Sequence, residues 1–212
     1  MYKGFVFDLD GTLVHTKPEY RQRVVIATLE SLGISGVAQR DIDTFWFRTG
    51  RDEIVRRDFG VQPGIFWRAF RRYDSIELRR RFTIPYPDTD IIPELRRKGY
   101  KMGVVTGAPP QIAELEIAML GAENFDAVII AGRSNGTKPK PHPEGLQKCL
   151  GLLGLKNTEA PFIGNSDEDI LAARNAKMKE ILVERGEYDF SYIVPAPSTI
   201  IKSLYELRSL LT

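Results

Sequence analysis

Asp8 and Asp10 stand in the setting within this 212-residue chain that most directly implies chemistry. They belong to the string Phe7-Asp8-Leu9-Asp10-Gly11-Thr12-Leu13, at the end of the apolar run Gly4-Phe5-Val6-Phe7. Two residues apart on extended chain, their side chains leave the same face. Gly11 then lets the backbone turn away. Two carboxylates converging in this way either hold a hard cation through oxygens or pair a nucleophile with an acid/base. The bland alternative is a pair of turn aspartates satisfied by backbone amides. It suits an isolated Asp-x-Asp far better than the whole string placed directly after an apolar strand.

The elements that must position such a pair are legible around it. Four further short apolar runs occur at 102–105, 128–131, 161–163 and 181–183, nearly continuous and mostly β-branched or aromatic. That pattern predicts strands covered on both faces, as in a parallel sheet. Helices are predicted between them at 89–98, 110–120, 143–153 and 167–177, with a last one capped by Ser198 and running to Leu211. The expected fold class is therefore α/β, a doubly wound parallel sheet whose ligands bind beyond the carboxyl ends of its strands. Residues 15–85 lack this rhythm. Pro18 suits the first turn of a helix ending at Gly33, a long helix is expected from about Pro63 to Arg81, and Pro85 and Pro87 close the segment. The expected organisation is a core of residues 1–14 and 86–212 interrupted by a small helical domain at 15–85. That segment carries 14 basic and 9 acidic side chains, net +5, against net −3 for the remainder. A composition shift of this kind marks a domain boundary.

Three later segments follow the first string in order: Val104-Val105-Thr106-Gly107, Lys138-Pro139-Lys140-Pro141-His142-Pro143, and Ile163-Gly164-Asn165-Ser166-Asp167-Glu168-Asp169-Ile170. With these four motifs the chain resembles the haloacid dehalogenase superfamily, a group dominated by phosphatases, over nearly its whole length. A helical insertion directly after the first motif is similar to the family's cap. The resemblance implies Asp8 as the nucleophile that becomes an aspartyl-phosphate and Asp10 as the general acid/base. Thr106 and the Gly107 amide would bind phosphate, and Lys140 would offset the charge of carboxylate and phosphate. It also implies Mg2+, held by Asp8, the main-chain carbonyl of Asp10 and the fourth motif. The family usually has an acid immediately after the glycine of that motif, where this chain has Asn165. Asn165 and Asp169 are therefore the expected ligands there, with Asp167 a weaker alternative. Arg48 and Arg51, flanking Thr49-Gly50, are candidates for substrate binding in the cap.

The expected function is hydrolysis of a small-molecule phosphate ester by a magnesium-dependent phosphatase. A 2-haloacid dehalogenase would use the same first aspartate without metal but has no need of Asp10. A phosphomutase would share Asp8, Asp10 and Lys140, and a non-enzymatic binding protein should have lost Asp8 or Lys140. Composition narrows the field from the other side. A net charge of +2 does not suggest a nucleic-acid or membrane binder. A single cysteine excludes an internal disulfide framework, and two histidines exclude a histidine-rich metal centre. A cytoplasmic protein with no membrane and no nucleic-acid partner is expected. Cys149 is read as packing, His15 and Lys138 as polar surface residues, and the arginines at 68, 71, 72 and 79–81 as a solvated face. Trp46, Phe47, Phe66, Trp67 and Phe70 are read as the core of the helical domain.

Overall fold

The central apolar runs become strands because their branched and aromatic side chains find cover on both faces, whereas the run at 127–130 forms an edge strand that leaves Val128 exposed. The computed structural model of the chain describes residues 2–132 and 136–211. Its elements are, in order, β1 (Gly4–Phe7), β2 (Val14–Thr16), α1 (Pro18–Glu30), α2 (Gln39–Phe47), α3 (Arg51–Phe59), α4 (Pro63–Tyr73), α5 (Ile76–Phe82) and β3 (Thr83–Pro85). They continue with α6 (Ile91–Arg97), β4 (Lys101–Thr106), α7 (Pro110–Leu120), β5 (Ala127–Ile130), α8 (Glu144–Leu153), β6 (Phe162–Gly164), α9 (Asp167–Asn175), β7 (Glu180–Val183) and β8 (Ile200–Ile201).

By its internal contacts the chain forms two compact units, Met1–His15 with Ile84–Thr212, and Thr16–Thr83. The first is an α/β unit around a six-stranded sheet in the order β5-β4-β1-β6-β7-β8, with every neighbouring pair parallel. Alternation along the strands assigns the two faces. Phe5, Phe7, Met102, Val104, Ile163 and Ile181 share one core with residues of α6 and α7. Val6, Val105 and Phe162 share the other with Leu146, Cys149, Ala172 and Ala173 of α8 and α9. Strands β4 and β5 lie on one side of β1 and β6 to β8 on the other, so the strand order reverses at β1. Ligands of open α/β sheets bind at such a reversal.

The second unit contains α1 to α5 around a core that includes Tyr20, Val24, Phe45, Ile54, Phe66 and Phe70. Trp46 and Trp67 pack against that core from partly buried positions. The helix expected from Pro63 to Arg81 is broken at Asp74–Ser75. Ser75 accepts the Leu78 amide and starts a new helix, while Asp74 accepts both Tyr20 Oη and Arg79 Nε. Arg79 is consequently buried, with its guanidinium over the Tyr20 ring, and does not belong to a solvated face. β2 and β3, where the chain passes between the units, pair as a two-stranded ribbon.

The expected C-terminal helix from Ser198 is also absent. Ile200–Ile201 adds instead to the sheet edge as β8, and a 3-10 helix, Leu204–Leu210, starts behind a capping box of Ser203 and Glu206. Its leucines are spaced for either helix type, and pairing with β7 decides the outcome. No helix among the described residues is long and apolar enough to cross a membrane.

Candidate active site

The candidate residues lie at or beyond the carboxyl ends of four adjacent strands. Asp8 follows β1, Thr106 ends β4, Lys140 lies between β5 and α8, and Asn165 follows β6. The centre is Lys140. Its Nζ lies 2.5 Å from Asp8 Oδ1 and 2.6 Å from Asp169 Oδ1, with all three side chains at most 7% exposed. Asp169 in turn is held by its other oxygen, which accepts the Asn165 amide at 3.1 Å, the Ser166 amide at 3.0 Å and the Ser166 hydroxyl at 2.7 Å. This is the capping box of α9, so the helix start and the lysine anchor are one feature.

Two glycines are sterically required. A Cβ on Gly164 would stand 2.3 Å from Asp169 Cβ. Gly11 has φ +78°, and a Cβ there would stand 2.2 Å from Asn165 Nδ2. The turn of the first motif thus lies directly against the fourth. Thr12 Oγ1 bridges them, 3.3 Å from both Asp8 Oδ2 and Asn165 Oδ1.

Burial, with the Asp169 charge added, raises the Asp8 carboxyl above the ordinary carboxylate range, against the pull of Lys140. Burial also opposes charge on Lys140, but the carboxylates of Asp169 and Asp8 outweigh it and hold the ammonium above its usual range. Two carboxylates against one ammonium leave this buried triad one negative charge in excess when all three are ionised. Such a site attracts a cation.

The other expected residues fall as follows. Asp10 is half-buried two residues beyond Asp8. Thr106 is buried, and its oxygen accepts the Ala108 amide at 3.0 Å, which leaves the hydroxyl hydrogen for another acceptor. A Cβ on Gly107 would meet no atom closer than 4.0 Å, so the space beside its backbone is open. Arg48 ends α2, and the exposed Arg51 begins α3 and donates to the Trp46 carbonyl. Both belong to the helical unit. Lys138 is exposed, and Cys149 is buried packing whose thiol is pushed up to about 12 by burial.

One expectation needs correction. His15 is half-buried and engaged rather than a free surface residue. Its Nδ1 lies 2.8 Å from Glu187 Oε1 and 3.2 Å from Tyr86 Oη, in a cluster whose members lie too far apart in sequence to be grouped by any motif. Asp169, expected as a metal ligand, has one oxygen engaged with Lys140 and the other with three donors, so it reaches Asp8 through the lysine. Sequence reasoning also missed Arg185, which donates to the Thr12 carbonyl at 2.6 Å. A charged residue just beyond an apolar strand, on the ligand side of the sheet, was the available signal.

The remaining donors fit magnesium better than a softer metal. Asp8, Asp10 and the Asn165 amide offer only oxygen. Among the described residues no three His, Cys, Asp or Glu side chains are grouped to hold a metal. A dedicated all-protein cage is therefore absent there, and magnesium commonly uses one or two carboxylates together with water and substrate phosphate.

Comparison with known proteins identifies the family. The family pattern described as haloacid dehalogenase-like hydrolase matches residues 5–183. A phosphoglycolate phosphatase of Pectobacterium atrosepticum is 31% identical, covering 99% of this chain and 92% of its own. Pyrophosphatase PpaX of Bacillus cereus is 30% identical over 84% of this chain and 81% of its own. Among solved structures, a haloacid dehalogenase-like family hydrolase of Streptococcus pneumoniae superposes with a TM-score of 0.81 at 20% identity, covering 100% of this chain and 99% of that one.

Proposed function

The chain belongs to the haloacid dehalogenase-like hydrolases and is a hydrolase of phosphate esters, and we propose that it is magnesium-dependent and works through an aspartyl-phosphate on Asp8. The observation that carries this reading is the buried Asp8–Lys140–Asp169 triad at the point where strand order reverses. Lys140 is held between two carboxylates, so its charge is fixed beside the oxygen pair that must meet a phosphate dianion.

In the first half-reaction an Asp8 carboxylate oxygen forms a bond to phosphorus while the ester oxygen–phosphorus bond breaks. Asp10 gives its proton to the departing oxygen. In the second half, Asp10 takes a proton from water as that water attacks phosphorus, and the Asp8–phosphorus bond breaks to release inorganic phosphate. The Thr106 hydroxyl and the Gly107 amide face the phosphate oxygens. Asp8, the Asp10 main-chain carbonyl and the Asn165 amide oxygen would hold Mg2+, which when bound offsets the negative charge shared by nucleophile and phosphate. The helical unit, with its net charge of +5, would select the anionic substrate, Arg48 and Arg51 being its contacts.

The relatives act on phosphoglycolate and pyrophosphate by name, so these two belong first in a panel of small phosphate esters. The test is phosphate release from that panel with and without magnesium, with 2-chloropropionate alongside. Magnesium-dependent release that Asp8→Asn abolishes is expected. Release that survives either chelation or Asp8→Asn, or halide release in place of phosphate release, refutes the reading.

A further inference from the structure

We propose that Arg185 is a positioning residue that fixes the Asp10–Gly11–Thr12 turn, and with it the proton-transferring group, against Asp8. The inference rests on the roles given above to Asp8 and Asp10. Arg185 lies two residues beyond β7, far from the four motifs in sequence. Its guanidinium is used as a fork. Nη2 donates to the Thr12 carbonyl at 2.6 Å, Nη1 donates to Asp88 Oδ2 at 2.7 Å, and the guanidinium carbon stands 3.8 Å from the centre of the Tyr86 ring. The side chain is 8% exposed.

Each support is itself anchored. Asp88 Oδ2 also accepts the Leu204 amide at 2.8 Å and the Ser203 hydroxyl at 3.0 Å, which ties it to the C-terminal segment. Tyr86 Oη donates to Glu187 Oε1 at 2.7 Å, the same oxygen that His15 approaches. Arg185 therefore connects a held platform to the Thr12 carbonyl in the catalytic turn. That turn closes through four local bonds, from the amides of Thr12, Leu13 and Val14 to the Leu9 carbonyl and from the Gly11 amide to the Val14 carbonyl. None of these four reaches outside residues 9–14. The same platform holds the turn's far end, where the Tyr86 amide donates to the Leu13 carbonyl at 3.0 Å. Arg185 supplies the external reference one residue nearer to Asp10. Thr12 is fully buried and presents its hydroxyl to Asp8 and Asn165, so an error in its placement is transmitted to both.

A purely stabilising role explains the arrangement less well. A buried ion pair contributes little net stability relative to apolar residues of similar volume, because desolvation offsets the attraction. What the planar fork adds is direction. A displacement of about 1 Å between reacting groups can cost on the order of 100-fold in rate.

The experiment compares wild type, Arg185→Met and Asp88→Asn. Asp88→Asn removes the charge partner of Arg185 but leaves the Thr12 contact and an acceptor for Leu204. Two readouts are taken: hydrolysis of p-nitrophenyl phosphate, and amide hydrogen exchange at residues 11–14. For Arg185→Met, kcat is expected to fall roughly 10- to 100-fold with KM within about twofold, and turn exchange to accelerate by about tenfold or more. Asp88→Asn, which keeps the Thr12 contact but loosens one support of Arg185, is expected to lower thermal stability and to move both readouts in the same direction as Arg185→Met but by clearly less, no more than about threefold. Unchanged turn exchange in Arg185→Met overturns the proposal, and so does an equal loss in both variants, which would signal general loosening. If wild type releases no phosphate, the phosphatase reading fails, and the exchange measurement still decides whether Arg185 holds the turn.

Discussion

Asp169→Asn is the perturbation that tests most directly whether the site is organised around Lys140. Asp169 Oδ2 accepts three donors, so the amide oxygen of an asparagine would take that place. Its NH2 would then face the Lys140 ammonium, donor against donor, where a 2.6 Å ion pair now stands. Breaking a buried pair by removing one partner costs roughly 3–5 kcal/mol. The lower figure applies here because Lys140 keeps Asp8. At roughly 2–4 °C per kcal/mol for a chain of this size, a loss of about 3 kcal/mol lowers the melting temperature by about 6–12 °C. Thermal and urea unfolding measure that shift. In the same variant kcat should fall by about tenfold or more, since the lysine proposed to meet the phosphate loses one of its two anchors. The half-saturating magnesium concentration should move by less than about threefold if both Asp169 oxygens stay engaged with Lys140 and the helix cap rather than with the metal. A melting temperature within about 2 °C of wild type would refute the reasoning about the triad. A large rise in the magnesium requirement with kcat preserved would return Asp169 to the metal shell.

Other substitutions probe separate parts of the site. Gly164→Ala would place a Cβ 2.3 Å from Asp169 Cβ, so stability should fall by about 1–3 kcal/mol, with lower kcat, in denaturation and turnover assays. Asn165→Asp adds a charged oxygen donor and should tighten magnesium by about tenfold in a calorimetric titration made without substrate; an unchanged affinity would remove Asn165 from the ligand set. Arg48→Ala and Arg51→Ala should chiefly raise KM for the best anionic substrate, and unchanged kinetics in both would leave them as surface charges. The Cys149 thiol, ordinarily near 9.0, is pushed up to about 12 by burial. The native state therefore keeps a proton that the unfolded state releases, so this contribution is complete below pH 9 and is lost as pH rises towards 12. Cys149→Ala should flatten that part of the stability profile, and native protein should resist alkylation at neutral pH.

The sheet was readable because each strand carries its instruction locally. A run such as Met102–Val105 is apolar on both faces whatever it pairs with, and parallel pairing follows from the helices between runs. The Asp8 position was legible for a related reason, since residues just past strand ends in this fold face the ligand crevice, whereas Lys140, well beyond the end of β5, was legible only through its resemblance to the family's third motif. Local instruction fails where two outcomes use the same residues. The leucines at 204, 207, 210 and 211 fit an extended α-helix as well as a 3-10 turn behind β8. Likewise nothing within 63–81 announces that Asp74 will be claimed by Tyr20, more than fifty residues earlier, and so break the helix.

Asp169 shows how the structure adds a partner that spacing does not announce, the ammonium of Lys140. Its spacing from Gly164 placed it in the fourth motif, but spacing along the chain does not say which way a carboxylate points. Its direction comes from the helix start. Ser166 and Asp169 cap each other, and that reciprocal bond turns Oδ1 towards Lys140. The absence of an acid at position 165 then has a consequence for charge. A carboxylate in place of the Asn165 amide would lie within the same pocket as Asp8 and Asp169, where burial and Asp169 already press against ionisation of the nucleophile. The neutral Asn165 keeps an oxygen near the Thr12 hydroxyl without adding a third carboxylate, half-buried, beside one ammonium. On the proposed reading, weaker cation binding and an easier ionisation of Asp8 are the two expected results of having an amide at this position.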